Sequence, residues 1–506
     1  MKFKNGKILL ASLMTGTLLL GGCASQKTSD AAETQAASGG AENAITLSGS
    51  TASCSSSNVT IDGGTITITG AGTYALTGTL DDGMVIVDAG DEDDVELVLN
   101  NAEITSSTSA AIYIASCGDA TVTLASGSEN ALSNGGSFVA IDDKDIDAVI
   151  FSTEDLALQG DGSLTVTSPA GHGIVSKDDL TVEGGSYTIT AASHGVTGKD
   201  ALVLNGGAFT ITAGEDGLHA KNSDEAALGN LTIRGGAFTI TAGDDGVHAS
   251  GNTVIEAGTV TILESSEGIE GQTVTISGGA IRVTASDDGL NAAGGSDSSA
   301  AGDFGGSPFE SDAKADITIS GGTLYINAGG DGIDSNGTIT ISGGQVFVSG
   351  PTNSGNGALD YGISAAITGG TIVAAGASGM AENFTSAEGQ GVMLVSTGAQ
   401  QAGSTIQLAD ANGNVLVTWQ PDKAYECVVI STPEVQQGGT YTLTAGSSTQ
   451  TVEMTSAVYG GGMGMGGMQP GQMGQPGQMG QGGQPGQMGQ PGQMGQGGKP
   501  SGMKRP

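Results

Sequence analysis

GHGIVSKDDLTVEGGSYTITAASHGVTGKDALVLNGGAFTITAGEDGL, residues 171–218, contains two phrases that repeat on a fixed beat. The first ends in glycine plus an aliphatic residue: GHGI (171–174), SHGV (193–196), EDGL (215–218), then DDGV (244–247), SEGI (266–269), DDGL (287–290) and GDGI (330–333). Its glycines are Gly173, Gly195, Gly217, Gly246, Gly268, Gly289 and Gly332, separated by 22, 22, 29, 22, 21 and 43 residues. The step of 29 is one beat with seven residues inserted, and the step of 43 is two beats run together around residues 293–314. Paired glycines starting at Gly184, Gly206, Gly235, Gly278, Gly321, Gly343 and Gly369 keep the same time. Self-similarity at this period marks a solenoid.

The residues between the glycines say which one. Val182, Leu204, Ile233, Ile255, Ile276, Ile319, Ile341 and Ile367 form one column of like residues, and Tyr187, Phe209, Phe238, Val260, Ile281, Leu324, Val346 and Ile372 form another. Within a unit these apolar residues alternate with Thr, Ser and Asn, the period of two that marks a strand. No leucine-rich pattern and no helical half is present. The expectation is an all-β chain, a parallel β-helix with three short strands in each coil of about 22 residues and its columns buried as ladders about 4.8 Å apart.

Outward from this core, residues 1–22 form a lipoprotein signal peptide, with Lys2, Lys4 and Lys7, an apolar run over 8–20, and Leu-Gly-Gly-Cys ending at Cys23. This predicts lipidation of Cys23 and an extracytoplasmic protein anchored to the membrane at the bacterial cell surface. Residues 23–43 are a flexible tether, 44–375 the β-helix, 376–458 a small β unit capping its open end, and 459–506 a disordered Gly/Gln/Met/Pro tail. The formal net charge is −38, which excludes nucleic acid as a partner and points to carboxylate-bound cations or a self-repelling surface. Cys54 and Cys117 stand close enough in sequence to pair outside the cytoplasm, and equally well remain thiols.

GTYALTGTLDDGMVIVDAGDEDDVELVLNNAEIT (72–105), followed by residues 171–200, resembles the clostridial cell-surface carbohydrate-binding proteins that adopt a polysaccharide-lyase-like parallel β-helix. The likeness runs over about residues 45–370. It implies a calcium-containing binder of cellulose or pectin-like polysaccharide. With the crossover rule it also implies right-handed coils.

Beside this stands the reading of the residues themselves. Immediately before the phrase glycine stand His172, His194, Asp216, Asp245, Glu267, Asp288 and Asp331, flanked by Glu215, Asp244 and Asp287. Two residues after it stand His219, His248, Glu270, Asn291 and Asp334. Carboxylates stacked at about 4.8 Å repel by roughly 3–4 kcal/mol per pair at an effective dielectric near 20. Calcium, which takes six to eight oxygens, offsets this. The expected metal residues are Glu215, Asp216, Asp244, Asp245, Glu267, Asp287, Asp288, Asp331 and Asp334. The plainer reading makes Asp-Gly simple turn chemistry. The histidines read as polar ladder members, with a softer metal as the alternative.

Lys177, Lys199 and Lys221, each followed by Asp178, Asp200 or Asn222, recur in successive coils. They suit a polyanion, and they are also the only repeated candidates for a lyase base. Arg282, Tyr325 and Phe347 fall in one outward column as a carbohydrate platform, or else lie beneath the insertion or the cap. The functional expectation is non-catalytic polysaccharide binding. A calcium-dependent lyase of acidic polysaccharide and a passive surface scaffold are the alternatives.

Overall fold

The computed structural model describes residues 43–292 and 311–461. The signal peptide, Cys23, almost all of the tether, most of the 293–314 insertion and the tail from residue 462 lie outside the described residues.

Each coil is built from three strands, as in His172–Ser176, Asp179–Val182 and Ser186–Ala191. The next coil repeats them as Val196–Gly198, Ala201–Leu204 and Ala208–Ala213. Equivalent strands pair in parallel, with Ile174 opposite Val196, Leu180 opposite Leu202 and Tyr187 opposite Phe209. The first strands of the coils make a 13-stranded sheet and the other two belong to a 26-stranded one. The result is an all-β solenoid of about 11 turns.

Alternation along the strands creates the core. Leu180, Val182, Tyr187 and Ile189 point inward and are buried, while Thr188 and Thr190 face solvent. Burying one such aliphatic or aromatic side chain is worth about 1.5–3 kcal/mol, and repetition makes the columns continuous. Tyr187, Phe209 and Phe238 stack face to face with centroids 4.6 and 5.1 Å apart.

The two kinds of glycine have different causes. The second glycine of each pair makes the turn between the two strands of the larger sheet with positive φ, 101° at Gly185 and 94° at Gly207, a conformation that suits glycine alone. The phrase glycines are set by space. A Cβ at Gly246 would come within 2.5 Å of Ile262 Cδ1 and 2.8 Å of the Gly268 carbonyl oxygen. The interior ladder therefore packs directly onto the backbone here.

At the far end the last coil strand, Ser364–Gly376, meets Tyr425–Ser431 in antiparallel pairing, and Val392–Gln400 pairs on the other side of that strand. A separate four-stranded antiparallel sheet follows the order Val415–Trp419, Ile406–Asp410, Thr440–Ala445, Ser448–Glu453. These strands cover an edge that would otherwise be left unpaired. Their core, including Met393, Ile430 and Leu443, is continuous with Phe347 and Val373 of the solenoid. Cys54 and Cys117 form no disulfide.

Candidate metal centre

The residue before each phrase glycine does structural work between coils. At His172, His194, Asp216, Asp288 and Asp331 the side chain accepts a backbone N–H from the equivalent place one coil on. His172 Nδ1 accepts from His194 at 3.1 Å, His194 Nδ1 from Asp216 at 3.1 Å and Asp216 Oδ1 from Asp245 at 3.0 Å. Further along, Asp288 Oδ1 accepts from Asp331 at 2.6 Å and Asp331 Oδ1 from Gly357 at 2.5 Å. His172 and His194 are thus members of a polar ladder.

A second column runs beside the first on the 13-stranded sheet. His219 is opposite His248, Glu270 opposite Asn291, Asn291 opposite Asp334 and Asp334 opposite Asp360. Their neighbours Leu218, Val247, Ile269, Leu290 and Ile333 fill the interior. The alternating residues therefore point to the outer face, yet His219, His248, Glu270 and Asn291 are still buried. The two columns form a polar strip along the solenoid, buried in its middle and half-buried toward both ends.

The strip changes chemistry along its length. At one end the rings of His172, His194, His219 and His248 stack, with successive centroids 4.9, 3.9 and 5.4 Å apart. Asp216 Oδ2 lies 3.2 Å from His194 Nδ1 and 3.7 Å from His219 Nε2. Burial, then Asp245, pushes the Asp216 carboxyl up to about 7, and burial with the neighbouring histidines holds His219 well below its ordinary value. In the middle, His248 Nδ1 sits 3.0 Å from Asp245 Oδ2 and 2.8 Å from Glu270 Oε2. Burial opposes a charge on His248, but hydrogen bonds to these two carboxylates prevail and raise it to about 11. The arrangement favours the imidazolium, which places a cation between Asp245 and Glu270.

Beyond His248 only oxygen donors remain. Carboxylate oxygens of Asp288, Asp331 and Asp334 all lie within 4.8 Å of one another. Burial first, and then mutual repulsion, pushes Glu267 up to about 9, Asp288 to about 7, Asp334 to about 8 and Glu382 to about 7. Asn291 donates from Nδ2 to Glu267 Oε2 at 2.6 Å, leaving its own Oδ1 buried without a partner, as is Glu382 Oε2. Among the described residues no lysine or arginine pairs with Asp288, Asp331, Asp334 or Asp360. Uncompensated carboxylates with spare buried oxygens are the donor set of a hard cation, and the oxygen end fits calcium.

The run of nine expected metal residues is therefore divided. Asp288, Asp331 and Asp334 converge, with Glu267 beside them through Asn291. Asp216 and Asp245 are engaged with histidines. Glu215, Asp244 and Asp287 are exposed, because consecutive residues at the turn point to opposite sides; Glu215 reaches His194 Nε2 at 3.4 Å.

The lysines also differ from expectation. Lys177 pairs with Asp147 at 3.6 Å and lies over the Phe151 ring, and Lys199 pairs with Asp224 at 3.1 Å. The acids next to them in sequence turn away: Asp178 gathers with Asp155 and Asp179, and Asp200 accepts from Asn222. Lys221 is exposed.

The expected sugar platform is partly covered. Arg282 lies 5.0 Å over Tyr325, and Tyr325 stacks on Phe347 at 5.1 Å. Phe347 itself is only 7% exposed, covered by Trp419 at 5.6 Å.

Asp360 and Glu382 escaped the sequence reading for one reason. Ala358 stands where the phrase glycine is expected, with its carbonyl against Gly332 as each phrase glycine's carbonyl is against the one before. The Leu359-Asp360 pair, echoing Ile333-Asp334, was the remaining signal.

Residues 62–307 match the model of a family described as carbohydrate-binding domain-containing protein. Over this stretch, just under half of its length, the chain is similar to that family. A member from Acetivibrio thermocellus, described in the same words, is 37% identical over 128 residues, 25% of this chain and 45% of that relative. The chain thus spans less than half of that family member's length. A solved structure of the polysaccharide lyase-like protein from C. thermocellum, a gadolinium derivative, is 29% identical, covers 49% of this chain and 95% of its own, and has a TM-score of 0.40.

Proposed function

We propose that this chain is a non-catalytic, calcium-containing binder of polysaccharide, cellulose or pectin-like, held at the bacterial cell surface by a lipid on Cys23. The observation that carries the reading is the oxygen-only end of the strip, Asp288, Asp331 and Asp334 with no basic partner among the described residues, in a solenoid whose residues 62–307 match a carbohydrate-binding family. Asp288, Asp331 and Asp334 would hold the ion, with Glu267, Asp360 and Glu382 adding negative charge around it. When bound, calcium supplies positive charge that neutralises the stacked acids and attracts carboxylates of an acidic glycan.

Binding without cleavage is favoured by the lysines. A lyase base has to stand free beside the sugar, whereas Lys177 and Lys199 are each held in an ion pair, with Asp147 and Asp224.

The test is a calcium titration read by melting temperature, with a cleavage assay alongside. A rise in Tm that saturates with calcium and is reversed by chelator supports the reading; an unchanged melt removes the ion from it. Unsaturated products absorbing in the ultraviolet from polygalacturonate and calcium, lost in Lys199→Ala, would make the protein a lyase.

A further inference from the structure

We propose that a second sugar subsite, independent of calcium and specific for an acidic ring, lies where the C-terminal sheet meets the outer face of the solenoid. The inference rests on the carbohydrate-binding reading above and names a ligand class for a place outside the acid strip. A cavity of about 120 Å³ opens there, lined by Arg282, Tyr325, Phe347, Asn327, Trp419 and Asp422, among others. The C-terminal residues that close it lie beyond the family match, which ends at residue 307.

Three features make this a built site. The first is an aromatic wall: Tyr325 and Phe347 are parallel within 11° at 5.1 Å, and Trp419 meets Phe347 at 40°. Arg282 and Phe347 take the two faces of Tyr325, so the ring left to meet a sugar face is that of Trp419, which keeps part of its surface exposed.

The second feature is an arginine left without an acid in a chain that has 53 of them. Among the described residues Arg234 has Glu256, but no carboxylate pairs with Arg282. Its guanidinium lies over the Tyr325 ring, and its fork of donors is available to a ligand carboxylate. Asp422 lines the same cavity and is exposed, yet it stands outside ion-pair distance of Arg282. The two charges are held apart, with room between them for a group that offers an acceptor to one and hydroxyls to the other. Asn327 and Gln420 complete the polar lining.

The third feature is rigidity. Lys423, next to Asp422, donates from its backbone N–H to Ser349 Oγ at 3.1 Å and from Nζ to the Ala328 carbonyl. The loop carrying Trp419 and Asp422 is thereby tied to the solenoid strands Thr323–Ala328 and Thr338–Ser349, which carry Tyr325 and Phe347. The volume is well below the roughly 300–1,000 Å³ of pockets for drug-sized ligands, which suits a single ring. Stacking surface, a free guanidinium and hydroxyl partners together specify a uronate, a sugar ring bearing a carboxylate.

Trp419 is the chain's one tryptophan, so its fluorescence reports on this cavity. The experiment titrates the full chain with trigalacturonate and with cellotriose, in excess EDTA so that the acid strip takes no part. The expected result is a saturable fluorescence change with trigalacturonate, a much weaker one with cellotriose, and affinity lowered about tenfold or more in Arg282→Ala, as for loss of a charge-assisted hydrogen bond. Arg282→Ala should still fold, with its melt lowered by no more than a few degrees for the lost contact with Tyr325. Equal response to the two sugars, no saturable change, or an Arg282→Ala variant that binds as tightly as the parent would each overturn the proposal. Calcium-dependent retention on polysaccharide surviving those outcomes would leave the acid-strip reading intact, and its loss with this signal retained would do the reverse.

Discussion

Replacing Asp334 by asparagine should stabilise the metal-free protein, and destabilise it relative to wild type once calcium is added. Burial, then Asp288, Asp331 and Asp360, pushes the Asp334 carboxyl from an ordinary 3.8 up to about 8. At pH 7 the folded protein must keep this proton, or bear the charge, while the unfolded chain is ionised freely. At 1.36 kcal/mol per pH unit between 3.8 and 7, that costs roughly 4 kcal/mol. Its neighbours share the repulsion, so we take roughly 2–4 kcal/mol as recoverable. Asparagine keeps the shape without the charge.

The sign follows from the raised value. The carboxyl's contribution to stability is fully present below about pH 3.8 and is lost progressively as pH rises through about 8. In EDTA the variant should therefore melt above wild type by a few degrees at pH 7, with the difference closing toward pH 3. In saturating calcium the order should reverse, because wild type gains a ligand the variant has lost. Circular dichroism melts at pH 3, 5, 7 and 8, with EDTA or calcium, measure this. A wild type more stable than the variant at pH 7 in EDTA, or a difference independent of pH, would refute the reasoning.

Other consequences are simpler to state. Calcium affinity should rise between about pH 5 and 8 with protons released on binding, since Asp288 and Asp334 must give up protons held to about 7 and 8; calorimetry in buffers of different ionisation enthalpy checks it, and a pH-independent affinity would contradict it. His248→Gln should cost about 3–5 kcal/mol, because Asp245 and Glu270 lose the cation between them; the His248 ring signal should stay that of an imidazolium from pH 6 to 9, and titration near pH 6.5 would show the pair is not formed. Gly246→Ala should destabilise by about 1–3 kcal/mol as an overpacked contact, whereas Gly355→Ala, whose Cβ would meet only Asn353 Oδ1 at 3.4 Å, should melt with wild type.

The coil was legible in the sequence because one interaction repeats in every turn. Tyr187, Phe209 and Phe238 fill the same interior position, and Gly173 to Gly332 keep the same close approach, so period and strand order follow from reading one column. The acids were visible for the same reason. Their division was not. Whether Asp245 meets a metal or an imidazolium depends on His248, three residues on in the strand Val247–Ala249 and beyond the glycine that precedes it. Asp244 and Asp245 look equivalent in sequence and point to opposite sides. Trp419 stands 94 residues after Tyr325, and no periodicity connects a β cap to the face it covers.

The central claim is that polysaccharide is bound through calcium on the acid strip, and retention of the full chain on insoluble polygalacturonate tests it most directly. Calcium should hold the protein on the polymer, excess EDTA should release most of it, and Asp331→Asn with Asp334→Asn should abolish the calcium-dependent part while the protein remains folded. Retention that is the same in calcium and in EDTA, or unchanged in the double variant, would contradict it.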